Sequence, residues 1–476
     1  MTAEAVKPQS AGQSKGLSLG AISWSLFEGA RNPYVILVTI YIFMPYVAAT
    51  VVGDHVRGQA VVSAYAQYAG WIVMLTAPFL GAAVDELGRR KGWLALIVAL
   101  MCPLMVLLWW VKPDGSAIPL GTCMLIVLTL NVLFPYTEVL HNSLLVRAAG
   151  LRNAHEASGL ALALGNFFAV FGLAFTAYAF ALPGKVDWSF LPSTPLFGLD
   201  PAKHEPERIV APIAGLIFAL GSLPFFLFTK DAEPTGISPI TAMRHGAKKL
   251  WRMLRTLRGY RDAAIFLLSR MFYVDGMTAV LLYYGIFASG VMNWGPLELL
   301  INGIILSVLA VLGGFVGRWM DAAFGPKRSL QIALFMSLLG VIALLGMGPT
   351  KILYFWSFDP ATATPLWNGP VFRMLPDVVF MLIGFSNAVF ITAQYASSRT
   401  MLTRLTPPEE TGAFFGIYAL SGTATIWLGS SLVNLGTNIF HTLQGGFGTI
   451  TLLLAVGFVG LLFVHGGGRW KDHEHT

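Results

Sequence analysis

Ten stretches of this chain run long enough to cross a bilayer without a single Asp, Glu, Lys or Arg: 32–53, 58–84, 92–111, 115–137, 157–184, 209–229, 276–297, 299–317, 329–350 and 378–398. A helix needs about 20 apolar residues to span the hydrocarbon core, so each stretch is a candidate span. From Thr411 to Gly468 the chain again carries no such charge, and Asn434, Gly436, Asn438 and Gly445-Gly446 interrupt it, which predicts two helices joined by a short hairpin. The expectation is an all-α membrane protein of twelve transmembrane helices. A transmembrane β-barrel is excluded because its strands alternate apolar and polar residues. Composition agrees: 55% of the 476 residues are apolar and only 12% charged, against about 25% charged in soluble proteins. Two cysteines, Cys102 and Cys123, exclude a disulfide framework and a closed cysteine metal site.

The net charge of +7 raises the question of nucleic acid, but the positions of the positive residues answer it. With the N-terminus inside, 22 of the 31 Lys and Arg fall on the cytoplasmic side and seven outside, while Arg31 and Arg270 lie within spans. That asymmetry predicts both termini in the cytosol and no nucleic-acid partner. The polar first 20 residues hold no apolar signal segment, so the first span itself is expected to direct insertion.

The longest cytoplasmic loop divides the spans six and six. The expected organisation is a tail at 1–20, a six-helix bundle at 21–229, a linker at 230–261, a second bundle at 262–466 and a tail at 467–476. Within the linker, Leu250, Leu254 and Leu257 recur at helical spacing beside Trp251, with Lys248, Lys249, Arg252, Arg255 and Arg258 around them. This suits a helix lying on the anionic inner leaflet; a solvated basic connector is the alternative.

A repeat relates the two halves. After the second span the chain reads Gly81-x-x-x-Asp85-x-x-Gly88-Arg89-Arg90-Lys91, and after the eighth Gly317-x-x-x-Asp321-x-x-x-Gly325-Pro326-Lys327-Arg328. Small Gly81 and Gly317 permit close helix contact, each aspartate can meet another helix's N-terminus, and the basic cluster holds the loop at the surface. By symmetry Asp85 is expected to face the start of the eleventh helix near Thr411-Gly412, and Asp321 the start of the fifth near Ala157-Ser158. Arg399 and Arg404, below the tenth span, complete the expected gating set.

This paired signature resembles the loop motif of the major facilitator superfamily. Ser23–Tyr34, which opens the first helix, and Ser398–Glu409, which leads into Phe414–Gly422, resemble the vacuole-effluxer branch, whose yeast member exports amino acids. The chain has Phe27-Glu28-Gly29-Ala30-Arg31 where that branch usually has Tyr-Asp-Trp-Ala-Asn, and Thr423 where a basic residue is common. The resemblance implies two pseudo-symmetric bundles that alternate access to a central site.

Charges inside spans are costly and face the protein interior. The first helix carries Glu28 and Arg31 at i,i+3, and the seventh carries Arg270 and Asp275. Such a set suits a zwitterion, an arginine taking a carboxylate and Glu28 or Asp275 an ammonium. Alternatively, Glu28 and Arg31 are a self-satisfied salt bridge that shapes the helix. Asn32, Tyr34, Tyr283, Asn387 and Gln394 are further candidate solute contacts, with Asn131, Tyr136, Asn166, Tyr284 and Tyr395 able to line the same cavity. Interhelical hydrogen bonding explains any of them equally well. Glu138, Glu28 and Asp275 are candidate proton carriers.

No catalytic motif, phosphate loop or clustered Cys and His occurs, so neither an enzyme nor a cofactor or metal site is expected. The reading is a gradient-driven secondary transporter, monomeric, of a small polar or zwitterionic solute. A lipid flippase on the same frame and a transport-dead sensor or scaffold are the alternatives. Outer loops that are short apart from 185–208 and 351–373, without any Asn-x-Ser/Thr acceptor, fit a bacterial inner membrane better than a glycosylated eukaryotic surface, with a vacuolar membrane the alternative.

Overall fold

The computed structural model describes residues 16–465 apart from 407–413, scattered positions between 232 and 256, and 415, 416, 419, 420 and 423; at 78, 81–87, 151, 152, 155 and 258 only the backbone is described. Most of the expected tail at 1–20 and all of that at 467–476, with Leu250, Leu254, Thr411 and Gly412, lie outside the described residues, as do the side chains of Gly81 and Asp85.

The helices are α1 Leu19–Val51, α2 His55–Leu87, α3 Lys91–Trp110, α4 Leu120–Asn142, α5 Leu145–Thr176, α6 Glu205–Phe228, α7 Arg261–Met292, α8 Pro296–Phe324, α9 Pro326–Leu345, α10 Leu375–Leu405, α11 Ile426–Phe440 and α12 Leu443–Leu462. Among the described residues, eleven helices are long and apolar enough to cross a membrane. The remaining helix, α11, runs 15 residues from a non-helical Thr425, and Phe414, Ile417, Tyr418, Ser421 and Gly422 before it are helical. One small hairpin, Lys351–Ile352 paired with Trp356–Ser357, lies between α9 and α10.

Several helices begin earlier than their charge-free stretches, α1, α5 and α7 by more than ten residues. The α1 helix starts at Leu19 rather than 32, capped by Ser18, whose Oγ accepts from the Ala21 amide at 3.1 Å and donates to the Ala148 carbonyl at 3.0 Å. It tolerates Glu28 and Arg31 because they neutralise each other. The α7 helix starts at Arg261 rather than 276, with Arg270 and Asp275 each taken up by the neighbouring chain. Pro33 lacks the N–H that an α-turn needs, and beyond it the backbone widens into π-turns at Tyr34–Tyr41 and again at Val47–Val51.

Helix pairing repeats between the halves. Helix α1 packs on α6 as α7 packs on α12, α2 on α4 as α8 on α10, and α3 on α6 as α9 on α12. The two units meet through α2 against α11 and α5 against α8, pairs that exchange under a pseudo-two-fold. Glycine sets the closest approaches: Gly221 of α6 faces Ala30 of α1, and a Cβ on Gly457 of α12 would stand 2.6 Å from that of Tyr273 on α7. The expected close contact at Gly317 is present, where a Cβ would lie 3.0 Å from the Cα of Ala393 on α10. Large apolar side chains such as Leu75, Phe167, Phe171, Phe315 and Trp319 stay exposed on the outer surface, as lipid contact requires.

Contacts between the units gather at the end remote from the linker. Gln59 Nε2 donates to Thr437 Oγ1 at 2.7 Å and to the Leu443 carbonyl at 3.2 Å, and Asn434 Nδ2 donates to the Ala60 carbonyl at 2.7 Å. Nearby, Gly285 of α7 lies against the Ile40 carbonyl and Gly303 of α8 against the Tyr41 ring.

At the linker end, Asp231 accepts from the amides of Arg90 and Lys91, and Lys91 Nζ donates to the carbonyls of Phe226 and Thr229 at 2.7 and 2.6 Å. Gly88 makes this turn with φ of +82°, against the Glu233 carbonyl. Arg90 is buried and donates to the Ser143 carbonyl, whereas Arg89, Arg328, Arg399 and Arg404 are exposed and Lys327 is half-buried. Asp321 departs from its expected position: it accepts from Ser397 Oγ of α10 at 2.6 Å, inside its own unit. The Gly317 contact draws α10 close to it, and Ala157-Ser158 lie inside α5 instead of at its start.

Candidate functional site

Arg31 is the hub of the first unit. It lies on α1 one turn after Glu28, a spacing that places both side chains on one helix face. Its Nε donates to Glu28 Oε2 at 2.8 Å and its Nη2 to Glu28 Oε1 at 2.9 Å, a two-pronged pair. From α4, Glu138 Oε2 stands 3.3 Å from Nη2, Thr137 Oγ1 accepts from Nη1 at 3.3 Å, and the Phe134 ring lies 4.7 Å from the guanidinium carbon. The guanidinium is buried, while the side chains of Glu28 and Glu138 are 30% and 53% exposed. One cation thus sits between two partly open carboxylates.

His141 belongs to the same cluster, and the motif reading did not include it. Its ring stacks on Trp24 with centroids 4.3 Å apart and is covered by Phe27 and Phe225. Trp24 Nε1 donates to the His141 carbonyl at 2.8 Å, and His141 Nε2 lies 2.8 Å from the Trp24 carbonyl. A lone histidine near a span end, 117 residues from its stacking partner, gives no local signal.

Beside this cluster lies a cavity of about 170 Å³ between α1, α4 and α5, lined by Glu28, Arg31, Asn32, Phe134, Gly165 and Asn166 among others. Asn32 edges it while donating to the Gly165 carbonyl at 2.6 Å. The remaining expected contacts are engaged between helices: Tyr34 donates to Asn131 at 2.9 Å, Tyr283 to Ser430 at 2.8 Å, and Gln394 to Ser337 at 2.5 Å and the Ala333 carbonyl at 3.1 Å. Tyr136 contacts Thr76, and Tyr284 accepts from Asn302 at 3.2 Å. Asn387 is buried against Gly340 of α9, with neither amide atom hydrogen-bonded.

In the second unit the two charges part company. Arg270 Nη1 donates to the Tyr418 carbonyl at 2.7 Å and to Ser421 Oγ at 2.6 Å, with the guanidinium 3.5 Å from the Tyr418 ring centre. Its Nε is buried without a partner, and among the described residues no carboxylate pairs with it. Asp275 instead accepts from the Gly429 amide at 2.7 Å, holding one of the free N–H groups in the first turn of α11.

Two pseudo-symmetric helix bundles, the first holding a charged interior cavity, define a multi-pass membrane protein of the major facilitator fold. The chain belongs within it to the vacuole effluxer Atg22-like family, whose profile matches residues 146–467. It is 24% identical over 233 residues to Autophagy-related protein 22 of Vanderwaltozyma polyspora, an alignment that takes in 48% of this chain and 41% of the relative, so the chain spans less than half the relative's length. It is 20% identical over 463 residues to the MFS-type transporter YxiO of Bacillus subtilis, covering 93% of this chain and 94% of the relative. The fold is similar to that of the D-xylose-proton symporter, with a TM-score of 0.63 at 12% identity over 94% of this chain and 96% of that one.

Proposed function

We propose that the chain is a gradient-driven transporter, acting as a monomer, that exports a small zwitterionic, amino-acid-like solute by alternating access. The observation that carries this is a division of charge. In the first unit two carboxylates, Glu28 and Glu138, share one guanidinium beside an open cavity, leaving a negative excess. In the second unit Arg270 has no carboxylate partner among the described residues. An ammonium group suits the first and a carboxylate the second. Arg31 itself has its fork filled by Glu28, so in this reading it positions the two carboxylates rather than holding the solute.

The family's description as vacuole effluxers supports a role in moving solute across a membrane. The excess of Lys and Arg in the linker-side segments supports placing that side in the cytosol, and the unit-to-unit hydrogen bonds at the other end then belong to a state closed to the outside. A lipid-translocating role has less support, since Glu28, Arg31, Asn32 and Asn166 give the cavity a polar lining.

A thermal-shift screen of the purified protein against amino acids, dipeptides, organic acids, sugars and lysolipids tests this, because a ligand that binds only the folded state raises its melting temperature by mass action. Amino acids are expected to stabilise the wild type and to lose that effect in Arg270→Gln. Stabilisation by lysolipids alone would overturn the proposal.

A further inference from the structure

His141 carries an unused buried atom. Its Nε2 faces the Trp24 carbonyl at 2.8 Å, and a carbonyl only accepts, so the ring's proton resides on Nε2. Nδ1 then presents a lone pair. That atom is buried and has no hydrogen-bond partner, in a residue with 0% exposure. The carboxylate oxygen facing it, Glu28 Oε2 at 3.5 Å, is an acceptor too. Two acceptors point at one another in a site shielded by Trp24, Phe27 and Phe225. A proton placed between them converts this mismatch into an ion pair.

We infer that His141 Nδ1, backed by Glu28, is a proton-binding site of this transporter. The inference deepens the gradient-driven reading above by naming the proton as the coupling ion, and its test needs no solute. The groups around the ring set the electrostatic balance. Glu28 on α1 and Glu138 on α4 favour the proton, Arg31 on α1 opposes it, and α6 contributes the uncharged ring of Phe225. With His141 neutral the cluster of Glu28, Glu138 and Arg31 sums to one negative charge; a proton on Nδ1 brings it to zero. A solute's ammonium group does the same. Proton and solute therefore compete for one charge, the relation that an exchanger needs.

Histidine-labelled protein, with nitrogen-15 in both ring positions, reports the state of His141 directly, His141→Gln serving to assign its signals. On acidification the neutral Nε2–H tautomer is expected to convert to imidazolium while the protein remains folded. Glu28→Gln is expected to lower the midpoint by about one pH unit or more, and Glu138→Gln by less. The stacked Trp24 provides a second readout in the wild type, its fluorescence falling in step with the titration and that component vanishing in Trp24→Phe. A ring that remains neutral wherever the protein is folded, or Trp24 emission indifferent to pH, would overturn the inference. So would a midpoint unmoved in a folded Glu28→Gln variant. A clear titration in a protein that no solute stabilises would retire the solute reading and leave this one standing.

Discussion

Gln59 and Thr437, 378 residues apart in sequence, are joined by a 2.7 Å hydrogen bond that ties α2 to α11 at the end remote from the linker. The same amide also reaches the Leu443 carbonyl. Gln59→Ala removes both bonds, each worth about 1 kcal/mol net. The outer closure is expected to loosen by about 1–2 kcal/mol, roughly a five- to thirtyfold shift toward the open state. A cysteine introduced at buried Ser63, one turn along α2, should then be alkylated correspondingly faster when Cys102 and Cys123 have been replaced by alanine. Unaltered labelling would deny this contact a part in closure.

Arg31→Gln leaves two partly exposed carboxylates without their cation and is expected to destabilise the fold by less than the ~3–5 kcal/mol of a fully buried pair. Adding Glu28→Gln should recover a large part of that, since Glu138 is more exposed and better hydrated. Arg31→Lys keeps the charge but not the fork and is expected to fall between the two. Melting curves of the three variants in one detergent order them, and a Lys variant as stable as the wild type would show that the two-pronged geometry is dispensable.

Glycines at helix contacts differ sharply in what a methyl group would meet. Gly221→Ala pushes a Cβ into Ala30 where α6 crosses α1, and overpacking of this kind costs about 1–3 kcal/mol. Gly314→Ala on α8 meets nothing within 4 Å. The first substitution should lower the melting temperature by several degrees, the second should not. Equal effects would mean that α1 and α6 pack less closely than described.

Competition at the His141 cluster has a definite sign. Protonation cancels the negative excess, so the affinity for an amino acid should fall as pH drops through the His141 titration, by at most about tenfold per pH unit. His141→Gln should make affinity nearly independent of pH over that range. Calorimetric titrations of wild type and variant at several pH values decide it; a wild-type affinity that rises on acidification would contradict the exchange relation.

Much of this fold is legible in the sequence because the bilayer permits few choices. Charge-free runs located the helices, and the Gly317 motif anticipated the contact with Ala393. The runs alone begin late for α1, α5 and α7, since a test for charge cannot tell that Glu28 and Arg31, already assigned to the first helix by the sequence, neutralise one another. Spacing explains the site as well. Residues at i,i+3, such as Glu28 and Arg31, stand about 60° apart around a helix, whereas Arg270 and Asp275 at i,i+5 diverge by about 140°, so one pair closes and the other separates. Glu138 and His141 reach the cluster only through the packing of α4 on α1, which no local pattern on either helix encodes.

The π-turns after Pro33 give α1 an uneven stiffness. Each holds one residue more than an α-turn, with poorer hydrogen-bond geometry, so the winding there yields before the regular helix on its linker side does. Mechanically α1 is two rods on a compliant coupling. One rod carries Glu28 and Arg31; the coupling itself rests on α7 at Ile40 and on α8 at Tyr41. Rewinding a single turn between them slides the far rod by about 1.5 Å and rotates it by about 100°, while the charged rod keeps its place against α4.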